Sequence, residues 1–143
     1  MNKILFELIK NFEGCKLTSY QDQGGKWTIG YGCIGYGIEK GTVWSQDRAD
    51  RELIARMQDA EQSIFKISPI MASQNESKQA AIADFIYNCG SNAYRNSHLK
   101  ISIDQGHWQE AASQLMQWNH IKVKESKWLT RRRAAERSLL ITN

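Results

Sequence analysis

Seven of the chain's ten glycines, Gly24, Gly25, Gly30, Gly32, Gly35, Gly37 and Gly41, fall between positions 24 and 41. A glycine in a helix interior costs about 1 kcal/mol relative to alanine, so a run this dense excludes a helix from the segment. The residues among and before them, including Tyr20, Trp27, Thr28, Ile29 and Tyr31, favour extended backbone. The stretch from Ser19 to about Gly41 therefore reads as a small sheet with tight turns, the only strand-rich part of the chain. Within it Gly30, Gly32 and Gly35 spell G-x-G-x-x-G, the spacing of a loop that cradles a dinucleotide pyrophosphate. That use needs a helix opening inside the motif and an acidic residue about 20 positions on, within a βαβ unit. Here no helix begins before about Ser45 and no strand–helix alternation follows. The glycines instead serve sharp strand turns and a close approach of backbone to a ligand lying across the sheet.

Helical periodicity occupies most of the remainder. Leu5, Leu8, Ile9 and Phe12 follow three- and four-residue spacing, and Gly14 stands where a glycine would stop a helix over 3–13. Ser45 is a suitable cap for a helix reaching Ile67, where Pro69 forbids continuation. Its stripe of Ala49, Leu53, Met57, Ala60 and Ile64 suits a helix lying between two lobes. "QAAIADFIYNCG" is apolar on nearly every face and predicts a buried central helix ending at Gly90. "HWQEAASQLMQW" predicts an amphipathic helix and "LTRRRAAERSLL" a basic terminal one, with Thr130 as its cap. The expected fold is α+β and mostly α. A sheet lobe over about 14–44 is joined by a linking helix over about 45–67 to a helical lobe over about 70–143, which includes the N-terminal helix 3–13.

The chain's 143 residues suffice for one core with a small satellite lobe, and 19 basic against 15 acidic residues give a net charge of +4. That charge favours an anionic partner without selecting nucleic acid, membrane surface or cell-wall polymer. No basic segment followed by an apolar run opens the chain, and no stretch of about 18 apolar residues occurs, so a soluble protein made in the cytoplasm is expected. Cys15, Cys33 and Cys89 are odd in number, widely spaced and without a Cys-x-x-Cys pair, which predicts reduced, mostly buried thiols, with one bridge among them left open. His98, His107 and His120 lack ligand spacing, so no metal is expected.

Two carboxylates flank the glycine lobe. Glu13 falls at the end of the first helix, where the negative end of the helix dipole and partial burial should make it hold its proton. Asp22, in the polar turn "YQDQGG", is expected to be hydrated and ionised. Carboxyl groups whose environments push their pKa values apart are the acid/base pair of glycoside hydrolysis. Thr28, on the next strand, can hold a water near Asp22. Each residue also has a plain structural reading, as a helix end, a turn former and a strand residue.

"FEGCKLTSYQD" followed by "WTIGYG" resembles the active-site signature of phage-type lysozymes, the endolysins of glycoside hydrolase family 24, with Glu13, Asp22 and Thr28 at the matching positions. "DFIYNCGSNAYRNS", "WNHI" and "LTRRRAAER" are similar to that family's central helix and C-terminal lobe. The resemblance implies a lysozyme-like fold with a three-stranded antiparallel sheet. It also implies hydrolysis of the β-1,4 bond between N-acetylmuramic acid and N-acetylglucosamine in peptidoglycan, with inversion and no cofactor. Under it Glu13 is the general acid, Asp22 the general base and Thr28 the water-positioning group, and inversion requires carboxyls roughly 6.5–9.5 Å apart. An endolysin of this kind waits in the host cytoplasm until a separate membrane pore opens the way to the wall.

Two positions depart from the family pattern. Cys33 stands where relatives usually carry His after "GYG", and is read as cleft support, with activity surviving but stability or pH response altered. Trp128 stands where relatives tend to have Gly, which implies a different loop shape there. Trp108 and Trp118 read as core anchors, with sugar stacking as the alternative, and Trp27 as packing under the site. Arg131, Arg132 and Arg133 read as a solvated helix face, or as a contact for anionic envelope polymers. A monomer is expected, with no substrate-binding residues assigned by the sequence. The competing classes are an inactive wall-binding homologue and a basic helical nucleic-acid module. The latter lacks a recognition helix and leaves the glycine lobe without a task.

Overall fold

The computed structural model describes residues 1–143. Its first helix, α1 (Lys3–Glu13), buries Leu5, Leu8 and Ile9, the positions its spacing predicts. Gly14 ends it at φ 61°, a left-handed conformation that strains other residues, and its N–H returns to Lys10 O at 3.0 Å. Glu13 thus occupies the last turn of α1, where the chain leaves the helical body for the sheet lobe.

Strands β1 (Lys16–Gln21) and β2 (Trp27–Gly30) pair antiparallel, with Tyr20 opposite Thr28 and Gln21 opposite Trp27. The connecting turn carries Asp22. The expected third strand does not form. The returning chain meets β1 only at the Thr18–Val43 bridge, aided by hydrogen bonds from Ser19 N to Thr42 O and Trp44 N to Leu17 O. The reason is local: β1 changes register between Lys16 and Tyr20, and positive φ at Gly30, Gly32, Gly35, Gly37 and Gly41 makes the chain turn repeatedly instead of extending.

Helix α2 (Gln46–Ile67) is capped by Ser45, whose side chain accepts from Arg48 N, and buries Ala49, Leu53, Met57, Ala60 and Ile64. Pro69 opens a 3-10 turn, Pro69–Ser73, and α3 (Glu76–Cys89) follows. As its all-round apolar sequence predicts, α3 runs through the core, with every residue from Ala80 to Ile86 buried. It packs against α1, α2 and the terminal helix. Two short helices that lack an extended stripe, α4 (Ser91–Arg95) and α5 (His98–Asp104), precede α6 (Trp108–Leu115). No helix is long and apolar enough to cross a membrane.

Three expectations for the C-terminal region are overturned. The glycine lobe is not the only strand-bearing part: β3 (His120–Ile121) and β4 (Lys124–Glu125) form a second small hairpin, turning through Lys122 at φ 59°. The cap of α7 (Lys127–Leu140) is Ser126, whose Oγ accepts from Leu129 N at 3.2 Å; Thr130 lies inside the helix and accepts from Asn119 Nδ2. The arginine triplet is not a solvated face. Arg132 and Arg133 are both 0% exposed, and only Arg131 faces solvent. At two of the three positions α7 turns its charges toward α3, where Asp84 pairs with Arg132 and Asn88 and Cys89 accept from Arg133, which also pairs with Glu136 one turn along α7.

Candidate active site

A cleft of about 1060 Å³ runs between the sheet lobe and the helical body, and Glu13, Asp22 and Thr28 all line it. Three successive parts of the chain thereby meet: the end of α1, the β1–β2 turn and strand β2. Trp118, Trp128, Tyr87 and Cys89 line it as well.

Glu13 is held from several directions. Its Oε1 lies 3.2 Å from Arg132 Nη1, and its side chain is 13% exposed. That approach is an ion pair without hydrogen-bond alignment. The stronger claim on Arg132 comes from Asp84, which takes a bidentate pair of bonds from Nε at 2.9 Å and Nη2 at 2.7 Å. Burial pushes the Glu13 carboxyl above its ordinary value near 4.5. Arg132 pulls against this, while the charges of Asp84 and, more weakly, Asp22 add to it. The helix end places Glu13, but burial is the main cause of its upward shift.

Behind the carboxyl lies Gly32. A Cβ there would stand 1.9 Å from Glu13 Oε2, and the residue has φ 78°, so both space and backbone call for glycine. Tyr87 holds this loop from α3, donating its hydroxyl to Tyr31 O at 2.6 Å. The close backbone approach expected of the glycine run is real, but its partner is the chain's own glutamate.

Asp22 has the contrasting setting. It is half-buried, and its Oδ1 accepts from Gly24 N at 2.9 Å and Lys26 N at 2.8 Å, which fixes the carboxylate within its turn. Both bonds fall on Oδ1, leaving Oδ2 for the cleft. Thr28 is buried and donates its hydroxyl to Lys26 O at 2.9 Å, so the lone pairs of Oγ1 remain to accept from a water.

Other expected residues fall into place unevenly. Cys33 is 0% exposed, with Ile29 bridged to it through backbone bonds in both directions; it supports the lobe from within and does not line the cleft. Trp27 is half-buried at the start of β2 and does not line the cleft itself. Trp118 packs edge-on against Phe85 at 5.2 Å, as a core anchor does, and also lines the cleft. Trp108 packs on the core away from the cleft. All three cysteines are unpaired. Sequence reasoning missed Asp84, Tyr87 and the burial of Arg132. The available signal was that Arg132 shares a helix face with Leu129, Glu136 and Leu140, which is a poor position for a solvated charge.

Two lobes around a long cleft, lined by a buried glutamate and by an aspartate fixed by two backbone N–H groups, define a glycoside hydrolase of the lysozyme class. The phage lysozyme family model matches residues 10–136, and the chain belongs to that family. It is 32% identical over 139 residues to the endolysin of Acyrthosiphon pisum secondary endosymbiont phage 1, covering 92% of this chain and 91% of that protein. To the endolysin of Bacillus phage B103 it is 31% identical over 137 residues, covering 94% of this chain but 51% of the relative, so it spans about half of that protein's length. The muramidase domain of SpmX from Asticaccaulis excentricus superimposes with a TM-score of 0.83 at 26% identity, covering 99% of this chain and 97% of that one.

Proposed function

We propose that the chain acts as one monomeric lysozyme domain that hydrolyses the β-1,4 bond between N-acetylmuramic acid and N-acetylglucosamine in bacterial peptidoglycan, with inversion. The observation that carries this reading is the pairing, in one cleft, of a Glu13 carboxyl that burial pushes above its ordinary value with an Asp22 held by two backbone N–H groups. Protonated Glu13 donates to the glycosidic oxygen as the bond to the anomeric carbon breaks. Asp22 takes a proton from a water on the opposite face of the sugar ring. Thr28 accepts a hydrogen bond from the second O–H of that water, turning a lone pair toward the anomeric carbon. Arg132, shared with Asp84, stabilises the carboxylate that Glu13 becomes without stripping its proton beforehand.

The same reading has the enzyme accumulate in the host cytoplasm and reach the wall once a separate membrane protein opens a path. Contact with anionic wall polymers through the arginine triplet is limited to Arg131, since its neighbours are buried.

Digestion of purified peptidoglycan tests the chemistry. New N-acetylmuramic acid reducing ends should appear first as the α-anomer, as inversion requires. Asp22→Asn should lower turnover by about 10²–10⁴-fold while leaving glycan binding nearly intact. Wall binding without new reducing ends would make the chain a binding homologue. A first-formed β-anomer would replace the base role of Asp22 with a nucleophilic one.

A further inference from the structure

The residue that departs from the family pattern on α7 has an unusual set of contacts. Trp128 Nε1 donates to Phe12 O at 3.1 Å, across 116 residues of sequence. Phe12 O is one of the last carbonyls of α1, which have no partner within their own helix. The Trp128 ring also meets Phe12 edge-on, with centroids 6.3 Å apart. The Arg132 guanidinium lies against both rings, 5.3 Å from that of Trp128 and 5.7 Å from that of Phe12. One indole therefore caps the turn that carries Glu13 and roofs the cation that faces it.

We propose that Trp128 is a positioning residue for the reaction: its indole pins the last turn of α1 and seals Arg132 from the cleft, which fixes the place of the Glu13 carboxyl. This rests on the reading of Glu13 as the general acid. A glycine at this position would leave Phe12 O to water and open one face of the Arg132 guanidinium. With water admitted, Glu13 loses part of the burial that pushes its carboxyl upward. The other groups facing Glu13 stay in place: Arg132 from α7, Asp84 and Tyr87 from α3, Tyr20 and Asp22 from the hairpin, and Cys33 from the loop after β2. Their charges are common to the wild type and the variants, so a moved pH profile reports the roof itself.

The test uses soluble peptidoglycan fragments, so that kcat and KM separate. Trp128→Phe keeps an aromatic edge against Phe12 and removes only the N–H. Its kcat should fall about three- to tenfold, the loss that one supporting hydrogen bond corresponds to, with KM unchanged and the alkaline limb of the pH profile moved to lower pH. Trp128→Gly should move both further in the same direction. A raised KM with wild-type kcat and pH profile would make Trp128 a sugar-stacking surface and overturn the proposal, as would wild-type values throughout. In the intact wild-type protein the Trp128 indole N–H resonance should titrate with Glu13 and become flat in Glu13→Gln. An indole signal indifferent to pH overturns the proposal even where a variant fails to fold. An active Glu13→Gln would remove the acid reading instead. An inactive Glu13→Gln beside an unmoved Trp128→Phe profile removes this proposal alone.

Discussion

Gly32→Ala isolates what the glycine run contributes to the site. The new Cβ would lie 1.9 Å from Glu13 Oε2 and 2.5 Å from its Cδ, and opening the shorter contact to 3.0 Å requires a displacement of 1.1 Å, the difference between those distances. Oε2 is the far end of a flexible side chain, so the carboxyl gives way rather than the backbone. It rotates off its position 3.2 Å from Arg132, and a misplacement of that size costs about 10²-fold in catalysis. The fold carries a separate burden, because φ 78° strains an L-residue by about 1–2 kcal/mol. Gly37→Ala supplies the control: its φ is 81°, with nothing within 4 Å of the added Cβ. Both variants should lose similar stability in urea denaturation, and only Gly32→Ala should lose clearing of permeabilised Gram-negative cells. Equal activities for the two variants, within about threefold, would refute the argument that the glycine exists to seat the acid.

Three further predictions follow from the charges and packing. Because the folded protein holds the Glu13 proton more tightly than the unfolded chain, its contribution to stability is full below about pH 4.5 and is lost as pH rises through the raised value. Glu13→Gln should therefore melt at a higher temperature than wild type at neutral pH, with the gain vanishing in acid, although it is inactive; equal melting across pH would contradict the burial of the charge. Asp84 is fully buried; burial alone would raise its pKa, but the Arg132 guanidinium overrides this and lowers it, so its contribution to stability is present at neutral pH and lost in acid. Asp84→Asn should cost about 3–5 kcal/mol in urea denaturation and, by leaving Arg132 to Glu13 alone, shift the alkaline limb of activity to lower pH. Cys33→His forces an imidazole into a site with 0% exposure, so stability should fall by about 1–3 kcal/mol while turnover stays near wild type; a large gain in turnover would mean that the thiol impairs the enzyme.

Features governed by near neighbours in the chain were legible in the sequence. The limits of α1, the cap and stripe of α2 and the glycine stop of α3 depend on periodicity and on residues that adopt positive φ at little cost. Expectations failed where a short segment takes its structure from a distant one. The third strand needed a partner register that the glycine turns deny, and the hairpin over His120–Glu125 is too short for its alternation to stand out. By itself, then, the sequence determined the main helices, the order Glu13, Asp22, Thr28 and the need for a glycine-built lobe. Only the tertiary structure decided which charges are buried. It turned Arg132 from an exposed cation into the shared partner of Asp84 and Glu13, made Gly32 the space for a carboxyl, and set Trp128 on a carbonyl 116 residues away. The physical reason is that desolvation depends on what surrounds a group in space, so the same arginine run is a solvated face or a buried ion network according to which helix packs against it.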